Sequence, residues 1–309
     1  MADNLNIKGL SKLIRLPNLL IIAAVQLGLY FRHILPFLAS KEQVPQTTGW
    51  DAIFFSICTC CIAAGGNIVN DIIDQSSDAI NRPMSRVVGV LMTEKAAIRL
   101  YIMVTFIGLM VALWLASHTG KWAWLWLYPT AVAILIVYSR ILKCMPVVGN
   151  VVISFLCSAV FVSIAFLEWE FLIDHFWQGA TIEPFWLAII QFSWIAFVLT
   201  WARELVKDIE DMEGDLEAGC HTLVTMWGPT RSRWMVIGLL LVSIASVIMW
   251  MRSMDQWWQL LYVGIMMVLP LGVMITVLWT RSNQEVMRKA SKHIKWVMLH
   301  AIIYLIFIS

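Results

Sequence analysis

The sequence predicts an all-α integral membrane protein with nine membrane-spanning helices and a cytoplasmic N-terminus. Three observations lead there. The 309 residues are 60% hydrophobic and 14% charged, far from the balance of a soluble domain. Apolar runs of about 18–22 residues recur along the chain, each long enough to cross a bilayer, and none alternates apolar with polar as a barrel strand would. Third, the basic residues fall mainly on one side when the runs are threaded back and forth.

Taken in order, the polar start through Arg15 leads into a first span at roughly 14–37. It has no small-residue cleavage pattern, so no cleavable signal peptide is expected. A second run at 50–71 ends in a cluster of acids, and a third occupies 96–117. The fourth, 122–139, is short and opens on Trp122, Trp124 and Trp126. The fifth, 147–168, gives way to a loop carrying Glu168, Glu170, Asp174 and Glu183 with no Lys or Arg, as suits an outer face. A sixth run at 184–205 ends in a second acidic cluster; 233–251, 257–279 and a short 292–308 complete the set. No long linker or low-complexity stretch divides them, so residues 1–309 are expected to form a single membrane domain.

With the N-terminus inside, only Arg32, Lys41, Lys121 and Arg252 of the 22 Lys and Arg lie outside. The bias orients the protein in a cell's inner or plasma membrane with both acidic clusters facing the cytoplasm. Trp122, Trp124, Trp126, Trp169, Trp177 and Trp186 gather near outer ends and read as interfacial anchors. The net charge of +2 gives no sign of a nucleic-acid partner; the surroundings are membrane lipid. Cys58, Cys60, Cys61, Cys144, Cys157 and Cys220 lack the paired spacing of a zinc site and are expected as small buried hydrophobes.

The two acidic clusters carry the chemistry. In the first, Asn70, Asp74 and Asp78 repeat every four residues, with Asp71 beside them. In the second, Glu204, Asp208, Asp211 and Asp215 form one stripe along a helix. Like charges at that spacing repel by a few tenths of a kcal/mol per pair, roughly, unless a cation lies among them. Mg²⁺ commonly combines one or two carboxylates with phosphate oxygens, so facing stripes suit metal ions that clamp a diphosphate.

The segment from Asn67 to Pro83 contains NxxxDxxxD as Asn70, Asp74 and Asp78, then Asn81-Arg82-Pro83; Arg203 to Asp215 contains DxxxD as Asp211 and Asp215. Together they resemble the two signatures of the UbiA superfamily of membrane prenyltransferases. The resemblance implies nine helices around a central cavity open toward the membrane. It also implies Mg²⁺-dependent transfer of a prenyl group from an isoprenoid diphosphate to a lipophilic acceptor. Carried over by position, it makes Asn70, Asp74, Asp78, Asp211 and Asp215 the metal ligands. Asp71 and Asp208 are then additional catalytic acids, and Arg82, Arg86, Lys143 and Lys207 the groups that meet the diphosphate. Tyr138 and Trp201 lie near the depth at which an aromatic face would steady an allylic cation.

Two departures bear on the acceptor. After the first motif the chain reads Arg86-Val87-Val88-Gly89-Val90 in place of a Pro-rich stretch with SG, and Thr222-Leu223 is followed by Val224 in place of Pro. Lys207 to Asp215, Arg15-Leu16-Pro17-Asn18, and Tyr138-Ser139 with Lys143, Pro146 and Gly149-Asn150 are most similar to the geranylgeranylglycerol-phosphate geranylgeranyltransferase branch. That branch alkylates a glycerol hydroxyl. An aromatic acceptor, as in quinone-precursor prenylation, and acceptor-free cyclisation share the same ionisation. A secondary transporter would place its acids at the bilayer midplane, whereas these sit at span ends.

Overall fold

The structure, a computed structural model, describes residues 7–81, 83–84, 86–178, 184–281 and 284–308. Its elements are α1 (Ile7–Leu13), α2 (Leu16–Ser40), α3 (Gly49–Ile73), α4 (Gln75–Asn81), α5 (Glu94–Thr119) and α6 (Trp122–Arg140). There follow α7 (Val148–Asp174), α8 (Pro184–Glu217), α9 (Leu223–Met251), α10 (Trp257–Thr280) and α11 (Gln284–Ile303). Among the described residues, eight of these helices are long and apolar enough to cross a membrane. Strand pairing amounts to one isolated bridge between Val88 and Met92.

Local signals place the helix starts. Thr48 caps α3 in a reciprocal box with Asp51, accepting from the Asp51 backbone N–H while the Asp51 carboxylate takes the Thr48 N–H at 2.8 Å. Thr93 and Thr222 cap α5 and α9 one-sidedly, each accepting from a backbone N–H three residues on. Gly228, at φ 78° and followed by Pro229, breaks α9 near its start. Sequence periodicity places that span only at 233, after the break, and the structure extends it back to Leu223.

Two ends differ from expectation in ways that matter. The sixth span does not stop near 205; α8 runs on to Glu217, a rod of about 50 Å against a hydrocarbon core of about 30 Å. The overhang carries the second acidic cluster. The ninth segment begins at Gln284, not 292, and its first half holds Glu285, Arg288, Lys289, Lys292 and Lys295, which keeps it outside the eight apolar helices.

Helices α2, α3, α6, α7, α8 and α11 pack in sequence into a closed ring, with α5 backing α3, and α9 and α10 backing α8 and α11. Gly66 lets α3 approach α6: a Cβ there would lie 2.8 Å from Leu135 Cδ1. Large apolar side chains point outward, Leu20, Ile102, Phe106 and Phe155 among them at 59–63% exposure, while the acids turn inward. That inside-out arrangement is expected when lipid is the solvent. The outer connections hold two surprises. Glu168, read as a loop acid of the outer face, is fully buried, accepting from the backbone of Gln46 and Thr47 and from the Thr47 hydroxyl. Trp186 is buried in the core and Trp124 lines the cavity, whereas Trp122, Trp126 and Trp177 are exposed as interfacial anchors should be.

Candidate active site

The ring encloses a cavity of about 810 Å³. Its walls are apolar over most of their length, from Phe55, Leu127 and Phe166 near the outer ends to Tyr138 and Leu199. At the other end Asn70, Asp71, Asp74 and Asp78 meet Asp208, Asp211 and Asp215 around one space. The two distant acidic stretches therefore converge, as their matching positions at span ends predict.

The first cluster is arranged by a break in the helix. Residue Asp74 ends α3 at φ −79°, ψ 8°, and α4 resumes at Gln75. Asn70 Nδ2 donates to Asp74 Oδ2 at 2.6 Å, fixing the carboxylate against its own helix. Arg15 Nη2 donates to Asp71 Oδ1 at 3.2 Å. On α8, Asn150 Nδ2 holds Asp208 Oδ2 at 2.8 Å, and Ser77 Oγ donates to Asp215 Oδ1 at 3.5 Å.

Asn81 joins the clusters. Its Nδ2 donates to the Asp211 carbonyl at 3.0 Å and its Oδ1 accepts from the Gly214 backbone N–H at 3.0 Å. A Cβ on Gly214 would overlap that amide, so the absence of a side chain at 214 is what lets α4 lie against α8. Sequence reading assigned no role to Ser77, Asn81, Asn150 or Gly214. The Asn81-Arg82-Pro83 and Gly149-Asn150 stretches marked two of them, only as points of resemblance.

Lys143, on the turn between α6 and α7, donates its ammonium to Asp74. Burial alone would depress it, but Asp74, with Asp215 and Asp78, more than reverses this and holds its pKa above the ordinary lysine value. The ammonium bonds one carboxylate of the first stretch and lies in the field of Asp215 from the second. Arg86 lines the same end, its Nη1 3.4 Å from the Gln75 carbonyl and its Nε buried without a partner. Lys207 turns instead to Glu204, which also binds Arg203. Arg82 lies outside the described residues. Tyr138 lines the cavity, whereas Trp201 packs edge-on against Phe197.

The cysteines are a correction. Cys58 is buried as expected, but Cys157 opens to the cavity and Cys144 is bonded to Cys220, with Cα atoms 4.6 Å apart. The Lys143 turn and the segment after α8 meet beside the acids, which separates these two cysteines from the apolar runs.

The donor set suits a hard divalent cation. It is all oxygen, and carboxylates of both stretches already surround one positive charge, the Lys143 ammonium. No three His, Cys, Asp or Glu side chains close to metal-binding distance among the described residues. An all-oxygen set suits Mg²⁺, which completes its shell with water and phosphate, better than structural zinc.

Known proteins agree with this architecture. The chain is 26% identical over 278 residues to a digeranylgeranylglyceryl phosphate synthase of Methanobrevibacter smithii, covering 87% of this chain and 89% of that one. It is 32% identical over 201 residues to the synthase of the same name from Pyrococcus horikoshii, 64% of each chain. In fold it is similar to a solved structure of digeranylgeranylglyceryl phosphate synthase in membranes, at TM-score 0.61 and 23% identity over 97% of both chains. It is likewise similar to a UbiA homologue of Archaeoglobus fulgidus bound to GPP and Mg²⁺, at TM-score 0.60 and 15% identity over 95% and 98%. The model of the UbiA prenyltransferase family matches residues 33–301, so this membrane protein with carboxylates gathered at the mouth of an apolar cavity belongs to the UbiA prenyltransferase family.

Proposed function

We propose that the chain transfers a prenyl group from an isoprenoid diphosphate to the hydroxyl of a phosphorylated glycerol lipid, with residues 1–309 acting as one membrane unit. The observation that carries this reading is the meeting of both acidic stretches at one end of a long apolar cavity. A diphosphate belongs at the charged end and a prenyl chain along the apolar wall. Relatives named for such a synthase favour the glycerol acceptor over an aromatic one.

Asn70, Asp74, Asp78, Asp211 and Asp215 would hold Mg²⁺. When bound, the metal supplies charge neutralisation for the departing diphosphate. Arg86 and Lys143 bind the diphosphate oxygens, and Arg82 follows the same motif. As the allylic C–O bond breaks, the electron pair leaves with diphosphate; the acceptor oxygen bonds to the freed carbon and gives up its proton. Asp208, about one turn deeper than Asp211 and oriented by Asn150, is placed to take that proton. Asp71 is tied to Arg15 and serves more as a fixed charge. Apolar walls exclude water that would quench the cation, and the Tyr138 ring faces the same space.

The charge bias of the loops supports an acidic end facing the cytoplasm, with α11 as a ninth crossing whose cations sit at the inner surface. The test is a membrane assay with a radiolabelled isoprenoid diphosphate, Mg²⁺ and an alkylglycerol phosphate. Product formation abolished by EDTA and by Asp74→Ala is expected. Transfer that survives both, or an intact diphosphate with every acceptor, refutes the proposal.

A further inference from the structure

Beside the metal-facing acids, the cavity has a second charged wall of the opposite sign. Lys12 on α1, Arg15 and Asn18 at the start of α2, Arg203 and Lys207 on α8, and Lys295 on α11 all line it. On α8, Lys207 and Arg203 precede Asp211 by four and eight residues, about 6 and 12 Å along the helix. Two carboxylates answer the five cations: Asp71 holds Arg15 at 3.2 Å, and Glu204 holds Arg203 at 2.6 Å and Lys207 at 3.3 Å. Among the described residues Lys295 Nζ is met by the neutral Asn18 Oδ1, at 2.8 Å. None of these groups shares a partner with Lys143 or Arg86, which contact Asp74 and the Gln75 carbonyl.

Such an excess of positive charge inside an apolar cavity is costly unless an anion joins it. Headgroup contact is open to Lys12, which is exposed, and to Arg15, whose side chain is 40% exposed, but not to Arg203, Lys207 and Lys295, which are largely covered and line the cavity. The diphosphate is met by a different set. We infer that this wall is the acceptor site, in which Lys12, Arg15, Arg203, Lys207 and Lys295 hold a phosphomonoester dianion on the acceptor lipid. The inference rests on the proposed transfer to a phosphorylated glycerol lipid and adds which residues read the phosphate. A guanidinium and an ammonium on different helices, Arg203 and Lys295, would grip it from two sides. The anchored phosphate then places the glycerol hydroxyl beside Asp208, one residue beyond Lys207.

The experiment uses the full chain in phosphatidylcholine nanodiscs with Mg²⁺ and an isoprenoid diphosphate. A monoalkylglycerol phosphate is compared with the same alkylglycerol lacking phosphate. Removing the acceptor's phosphate should raise its KM roughly 10- to 100-fold, as loss of charged hydrogen bonds implies. Arg203→Gln and Lys295→Met should impose a similar loss on the phosphorylated acceptor only. The diphosphate KM should stay within about twofold, and the two losses should not compound. Arg203→Lys should recover part of the affinity, which separates charge from folding.

The site is overturned if the variants weaken both acceptors alike, if the diphosphate KM rises instead, or if phosphatidylglycerol nanodiscs abolish the preference for phosphate. Binding of the phosphorylated acceptor, read by tryptophan fluorescence without diphosphate, separates site from reaction. Binding that is lost in Arg203→Gln, with no transfer by the wild type, keeps the site and removes the proposed reaction. Neither binding nor transfer removes both.

Discussion

Replacing Gly214 by Ala tests whether the two acidic stretches act as one site. A Cβ at 214 would overlap the Asn81 side-chain amide, which must then swing away. It would give up the bonds to the Asp211 carbonyl and the Gly214 N–H, both at 3.0 Å, and to Ser77 Oγ at 3.3 Å. Net hydrogen-bond values put that loss at about 2 kcal/mol, or roughly 30-fold if all of it appears in diphosphate affinity. Ala in place of a helical Gly returns about 1 kcal/mol of helix propensity, so global stability should change little. The expected signature is a raised KM for diphosphate and a raised Mg²⁺ requirement with a nearly constant melting temperature. Asn81→Ala should do the same without a clash. Because removing Asn81 also relieves the overlap, the double variant should be no worse than Asn81→Ala alone. Additive losses, or an unchanged diphosphate KM in Gly214→Ala, would refute the latch.

Other consequences follow from the same geometry. Lys143→Met should raise the diphosphate KM by roughly tenfold while leaving acceptor affinity alone, as measured by initial rates. Since the folded-state pKa of Lys143 lies above the ordinary lysine value, its charged form is favoured by folding. The stabilisation is complete below that ordinary value and is lost only as pH rises through the higher one, so thermal denaturation should show no Lys143-dependent loss up to about pH 9. Asp208→Asn should lower kcat by roughly 10²–10⁴ with substrate affinities preserved, and ionisation of the diphosphate without an acceptor should continue. Oxidising the purified protein should link the peptides bearing Cys144 and Cys220, seen by mass spectrometry after digestion; no such link would mean that the Lys143 turn does not lie beside the end of α8.

Much of this was legible because lipid makes composition decisive. Apolar length gave the spans, and paired offsets of four gave the acids, since both follow from one helical geometry. The length of α8 was hidden because its last three turns are polar: hydropathy ends at the membrane, whereas the helix does not. The start of α11 was hidden likewise, its basic first half being a helix without an apolar stripe wide enough to register as a span. The partners of Asn81 and Asn150 could not be read at all. Each asparagine acts on a backbone or carboxylate more than fifty residues away, and single-sequence spacing carries nothing about partners at that range.

Glu204 shows why the cavity keeps its two charged zones apart. The residue stands on α8 among the cations, bound to both Arg203 and Lys207, with Lys207 between it and the acids at the mouth. Buried pairs of this kind add little net stability, because desolvation offsets most of their attraction. Their effect here is on direction. Without Glu204, Lys207 would be drawn along α8 toward Asp211, four residues on, and would compete for the carboxylates that face the metal. Glu204→Gln should lower the melting temperature, because it leaves two largely buried cations without their carboxylate, and should raise the Mg²⁺ concentration needed for half-maximal rate, since it frees a cation rather than removing a ligand. Restoration of the normal Mg²⁺ requirement by adding Lys207→Met would identify the freed ammonium as the cause. A Mg²⁺ requirement that stays high in the double variant would place Glu204 among the metal ligands instead.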